Sequence, residues 1–166
     1  MATKKLTFSA LLVAIGTLLG HLIYIPAGVA KCFPVQHTIN VLSAVLLGPG
    51  YAVANAFVIS LLRNILGTGS PLAFPGSMLG ALLAGFLYTR YKKNSAAVAG
   101  EIFGTGILGG IAAYPIAKYV LGSEAAVFFF VTPFLVSTIG GSIIGLFIIK
   151  LLEKNQWVQQ QGFLSK

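Results

Sequence analysis

The sequence predicts an all-α integral membrane protein: one domain over residues 1–166, six transmembrane helices, and both termini on the cytoplasmic side. Three observations carry this. Of the 166 residues 57% are hydrophobic and 8% are charged, where a soluble domain carries about 25% charged residues. The mean hydropathy is +0.91, and apolar runs near the ~20 residues needed to cross a bilayer recur along the chain. Basic residues also fall unevenly. With the N-terminus inside, Lys4, Lys5, Arg90, Lys92, Lys93, Lys150 and Lys154 face the cytoplasm, whereas Lys31, Arg63 and Lys118 face outward, Lys166 being left aside. That bias is the positive-inside pattern.

The first span runs from about Leu6 to Ile25 and stops at Pro26. Lys4 and Lys5 before an apolar run resemble the start of a signal peptide, but the run exceeds the usual apolar core of such peptides, so it is expected to remain as a helix. Ala10 and Ala14 lie four apart, and Gly16 and Gly20 repeat the spacing, which lets helices approach closely in lipid. His21 reads as an interfacial or core histidine. A loop with Pro26 and Pro34 follows, and then a helix from about Gln36 to Leu47. At 1.5 Å per residue that helix is about 18 Å long, too short to span alone, so its polar head must lie within protein. Gln36 and Asn40 share one face with His37 beside them; a capping role for Gln36 or Thr38 is the alternative. Cys32 with His37 lacks the second pair that a metal site needs.

Gly48-Pro49-Gly50 is a tight turn into a helix from about Tyr51 to Leu66. Two readings of Arg63 stand open: snorkelling to headgroups, or hydrogen bonding to the polar loop beside it. The stretch Arg63–Ser77, RNILGTGSPLAFPGS, cannot be one continuous helix, because Pro71 and Pro75 lack an N–H and three glycines weaken helical order. Irregular polar backbone at membrane depth is tolerated only against protein or a water-filled cavity. This loop and Lys31–Asn40 therefore read as the roof of a small-molecule site on the outer face; a plain connecting loop is the alternative. A Gly- and Ala-rich span follows over about Gly76 to Tyr91, then one over about Ser95 to Val120 carrying Glu101, Tyr114 and Pro115. Glu101 is open between a first-turn residue favoured by the helix dipole and a site residue. The last span runs from about Ala125 to Leu152, and a polar tail begins at about 153.

Several functions are excluded. There is no G-x-x-x-x-G-K-[ST] loop and no H-E-x-x-H. Glu101, Glu124 and Glu153 are the only carboxylates, with no aspartate, so acid–base catalysis and proton relays have few candidate groups. No catalytic residue, cofactor or metal is expected, and the chain is read as not an enzyme. The net charge of +8 sits at the ends of apolar segments, where it suits membrane lipid and not nucleic acid. One cysteine permits no internal disulfide.

The segments CFPVQHTINVLSAVLLGPGYA and RNILGTGSPLAFPGS, with Ala10 and Ala14 in the first helix, resemble the ThiW family. That family is similar to the substrate-binding S components of energy-coupling factor (ECF) vitamin transporters, and the resemblance covers most of residues 5–152. It implies a six-helix S-component fold in a prokaryotic plasma membrane, a pocket near the outer face and no catalysis. It also implies partners: a transmembrane coupling protein, EcfT, meeting Ala10 and Ala14, and two cytoplasmic ATPases. The substrate it implies is a thiamine precursor, hydroxyethylthiazole or a related thiazole. Such a ligand needs an apolar wall and a few hydrogen-bonding groups. Gln36, His37, Asn40, Asn64, Ser70 and Ser77 supply polar groups, while Phe33, Phe74 and Tyr114 offer stacking surfaces. Arg63 fits a neutral alcohol least well; it either binds a phosphorylated form or braces the two loops. A stand-alone transporter or channel, or a structural subunit, is the competing reading.

Overall fold

A computed structural model describes residues 2–27 and 30–156, so the Gln run at 159–161 lies outside the described residues. Among the described residues six helices follow in chain order: α1 (Ala2–Leu19), α2 (Pro34–Leu46), α3 (Pro49–Ile65), α4 (Ala73–Tyr91), α5 (Asn94–Tyr119) and α6 (Val131–Lys154). The segment expected as an open loop after α1 instead carries a small antiparallel ribbon of β1 (Ile25–Ala27) and β2 (Ala30–Cys32), with Ile25 opposite Cys32.

Three boundaries differ from expectation, each for a local reason. The first helix ends at Leu19, where the amides of Leu22 and Ile23 turn back onto the Leu19 carbonyl. The fourth begins at Ala73, so that Pro75 occupies its first turn, where no N–H is required, and the central loop shrinks to 66–72. The last begins at Val131, not near residue 125. Pro133 again falls in a first turn, and Phe128–Phe130 form a separate turn ahead of it. Between α2 and α3 the chain reverses at Gly48, whose φ of +96° suits only glycine.

The helices alternate in direction. At one end of the bundle Lys5 Nζ donates to the Leu47 carbonyl (3.4 Å) and Asn94 Nδ2 to Glu153 Oε1 (2.7 Å). The short helix α2 is the axle. Every residue from Pro34 to Leu46 is buried except Val35 and His37, and α2 touches α1, α3, α4, α5 and α6. Its 13 residues therefore meet protein at both ends and on all sides.

The other five helices turn large apolar side chains outward: Leu11 and Leu18 on α1, Phe57 on α3, Phe86 on α4, Phe103 on α5, Ile143 and Phe147 on α6. The interior, by contrast, buries Ser9, Asn40, Ser43, Asn55, Ser60, Glu101 and Thr138. Asn55 ties three helices together, accepting from Ser9 Oγ and donating to Ser43 Oγ at 2.9 Å. By length and composition, Asn94–Tyr119 and Val131–Lys154 are each sufficient to cross a membrane.

Helices α4 and α5 pack closely through glycines. A Cβ on Gly104 would lie 2.8 Å from Gly80 Cα, and one on Gly109 would collide with Gly76 Cα. The partners are thus four apart on α4 and five apart on α5. Residues five apart diverge on an α-helix but stack one turn above another when hydrogen bonds run i→i+5. Residues Ile102–Gly109 of α5 are π-helical, which brings Gly104 and Gly109 onto a single seam. That widened turn was not anticipated from the sequence.

Candidate functional site

A chamber of about 370 Å³ opens at the end of the bundle that carries the ribbon. One wall is Phe33, Gln36 and His37 at the head of α2; Arg63 and the loop Gly67–Ser70 form a second. The start of α4 (Leu72, Ala73, Gly76, Ser77) and Thr105 of α5 form the floor, and Phe129, Phe130, Pro133, Phe134 and Ser137 close the remaining side. The lining is aromatic and aliphatic with a few polar groups, as small-molecule sites are usually built.

Those polar groups form one network. Arg63 is 3% exposed. Its Nη1 donates to Gln36 Oε1 at 2.6 Å, its Nη2 to the Thr68 carbonyl at 3.0 Å, and its guanidinium lies 4.7 Å from the centre of the Phe33 ring. Gln36 Nε2 in turn donates to Ser60 Oγ (2.8 Å) and Ser77 Oγ (3.0 Å). Asn40 Nδ2 reaches Ser77 Oγ and Glu101 Oε1, both at 3.0 Å. Glu101 is fully buried. Its Oε1 also faces His37 Nδ1 at 2.9 Å and accepts from Thr105 Oγ1 at 3.0 Å. Gly80 leaves room for this carboxyl, since a Cβ there would lie 2.7 Å from Glu101 Oε2.

The ribbon is anchored to α6. The Phe33 amide donates to Ser137 Oγ at 2.7 Å and the Cys32 thiol to the Pro133 carbonyl at 3.2 Å. Burial pushes the Cys32 thiol pKa above its ordinary range, with hydrogen bonding to Ser137 pulling the other way.

Of the residues singled out from the sequence, Phe33, Gln36, His37, Arg63, Ser70 and Ser77 line the chamber. Asn40 and Glu101 stand behind its wall, in contact with Ser77 and His37 respectively. Three others lie elsewhere. Asn64 braces the central loop from outside, donating to the carbonyls of Ser60 (2.7 Å) and Ser70 (3.1 Å). Phe74 packs on Phe57, ring centres 5.7 Å apart, and Tyr114 lies under Lys118 Nζ at 5.7 Å. Glu101 lies past the first turn of α5, which begins at Asn94, so a first-turn dipole role does not describe it. Ala10 and Ala14 are exposed on α1. Sequence reasoning missed Thr105 and the Phe129–Ser137 wall. The signal available for that wall was Pro133, which marks a helix start just behind three consecutive phenylalanines.

Asn40 donates within the buried network to Ser77 Oγ and Glu101 Oε1, so Asn40→Leu is expected to lower stability by about 1–3 kcal/mol through the loss of these hydrogen bonds. Denaturant melts in detergent check this; an unchanged midpoint would relegate Asn40 to a bystander.

An apolar exterior, an interior that buries polar side chains among apolar ones and a chamber at one end describe a helical membrane protein that handles a small molecule. The family of thiamine-precursor transporter proteins, ThiW, matches residues 6–155, and the chain belongs to it. This is a family of transporters. Comparison with curated proteins and with solved structures returns no match.

Proposed function

We propose that the chain is the substrate-binding S component of an ECF-type importer in a prokaryotic plasma membrane. In this reading all six helices lie in the bilayer with both termini inside. The chamber takes hydroxyethylthiazole or a related thiazole from the outer face, and EcfT with two cytoplasmic ATPases powers uptake. The observation that carries the reading is the chamber itself. It is large enough for a single-ring ligand, walled by Phe33, Phe130 and Phe134, supplied with a few fixed polar groups, and placed at the end where the sequence charge bias puts the outside.

In this reading Arg63 braces α2 and the central loop through Gln36 and Thr68, and the neutral ligand needs no cation. Calorimetry on the purified chain without partners is expected to show saturable, one-to-one binding of hydroxyethylthiazole. Absence of binding by well-folded protein refutes the substrate. Uptake by vesicles holding this chain alone would instead favour a stand-alone transporter.

The exposed Ala10 and Ala14 offer the surface for EcfT. Replacing Ala14 with tryptophan is expected to abolish transport while leaving thiazole affinity within twofold, because a bulky side chain holds two helix backbones apart. Recovery of a fully active complex from the Ala14→Trp variant rules this surface out.

A further inference from the structure

We propose that the chamber selects its ligand through a hydrogen bond that the protein accepts: His37, oriented by Glu101, presents a bare Nε2 and takes a hydroxyl or N–H proton from the bound molecule. This rests on the small-molecule reading above and specifies the group that the ligand must carry.

The tautomer follows from the partners of one oxygen. Glu101 Oε1 lies 3.0 Å from Asn40 Nδ2 and 2.9 Å from His37 Nδ1. The Asn40 amide nitrogen can only donate, so Oε1 is an acceptor. His37 Nδ1 faces that same acceptor and therefore carries the ring proton. A neutral imidazole protonated at Nδ1 has a lone pair at Nε2. The ring lines the chamber and keeps 12% of its side chain exposed, while Nε2 has no partner among the described residues.

Arg63 and Gln36 are both tied to protein partners. Arg63 donates to Gln36 and Thr68, and Gln36 donates to Ser60 and Ser77. Nε2 is thus an acceptor without a protein partner in the chamber wall, and a ligand donor is its complement. An ether or fluorine placed there would set a lone pair against a lone pair.

The test compares hydroxyethylthiazole with its fluoroethyl analogue, which keeps the size of the group and removes the proton. Wild-type protein is expected to bind the fluoro compound at least about tenfold more weakly, the scale of an unmade hydrogen bond in a buried site. In His37→Phe the two compounds are expected to bind alike. Equal affinity in wild type overturns the proposal. A second measurement needs no ligand: nitrogen-15 NMR of histidine-labelled protein, with His37 told from His21 by its loss in His37→Phe. A neutral His37 protonated at Nδ1 supports the proposal, and one protonated at Nε2 overturns it. Should no thiazole bind at all, the substrate assignment falls, and the tautomer still decides the role of His37.

Discussion

Gly80→Ala is expected to lower stability by about 3 kcal/mol or more and to abolish ligand binding. The new Cβ would fall on Thr105 Oγ1 and lie 2.7 Å from Glu101 Oε2. Neither group can retreat. Thr105 is bonded to the Gly76 carbonyl at 3.1 Å, and Glu101 is enclosed on every side with no exposed surface. Displacing the carboxyl breaks the contacts that orient His37 and Asn40. Overpacking a core costs about 1–3 kcal/mol, and each stranded buried polar group adds about 1–3 kcal/mol. The control is Gly50→Ala near the start of α3, where a Cβ meets nothing within 4 Å; it is expected to be neutral or to stabilise by up to about 1 kcal/mol. Chemical denaturation of both variants in one detergent decides the matter. A Gly80→Ala protein that melts with wild type would show that Glu101 is not held as described.

Arg63→Lys is expected to weaken ligand binding about tenfold or more although the charge is kept. The guanidinium reaches Gln36 and Thr68 with two different nitrogens while lying over Phe33. Lysine offers one nitrogen on a flexible stem and no planar face, so it cannot hold the central loop against α2. Hydrogen bonds to charged groups contribute about 1.5–3 kcal/mol each, and loss of one suffices for the stated effect. Affinity is compared by calorimetry in the same detergent and salt. Agreement within twofold, about 0.4 kcal/mol, would mean that the guanidinium hydrogen bonds do not shape the ligand site.

How far the sequence disclosed this arrangement varies with the range of the forces involved. The helix at Pro34–Leu46 was legible because its shortness and its polar head forced it inside protein. The central loop was legible because Pro71, Gly67 and Gly69 break helices by local sterics. Thr105 was not legible, since its place on the chamber floor depends on a π-helical register set by glycine contacts with another helix. The Phe129–Ser137 wall was obscured because an apolar run gives no boundary of its own. Phe74 and Tyr114 were drawn in as generic stacking surfaces, and which face of a helix an aromatic ring occupies is settled by packing. Glu101 was noticed as the one carboxylate within an apolar span, but its partner His37 lies 64 positions away, and nothing local pairs the two.

In a bilayer the π-helical stretch of α5 bears on hydrophobic matching. As a pure α-helix the 26 residues of Asn94–Tyr119 would reach about 39 Å, well beyond a hydrocarbon layer of about 30 Å. A residue used to widen a turn does not lengthen the rod, so this segment can hold more side chains than its span in ångströms suggests. Part of the surplus that another helix must absorb by tilting is here taken up within the coil. Membranes of differing thickness should therefore strain α5 less than its residue count implies.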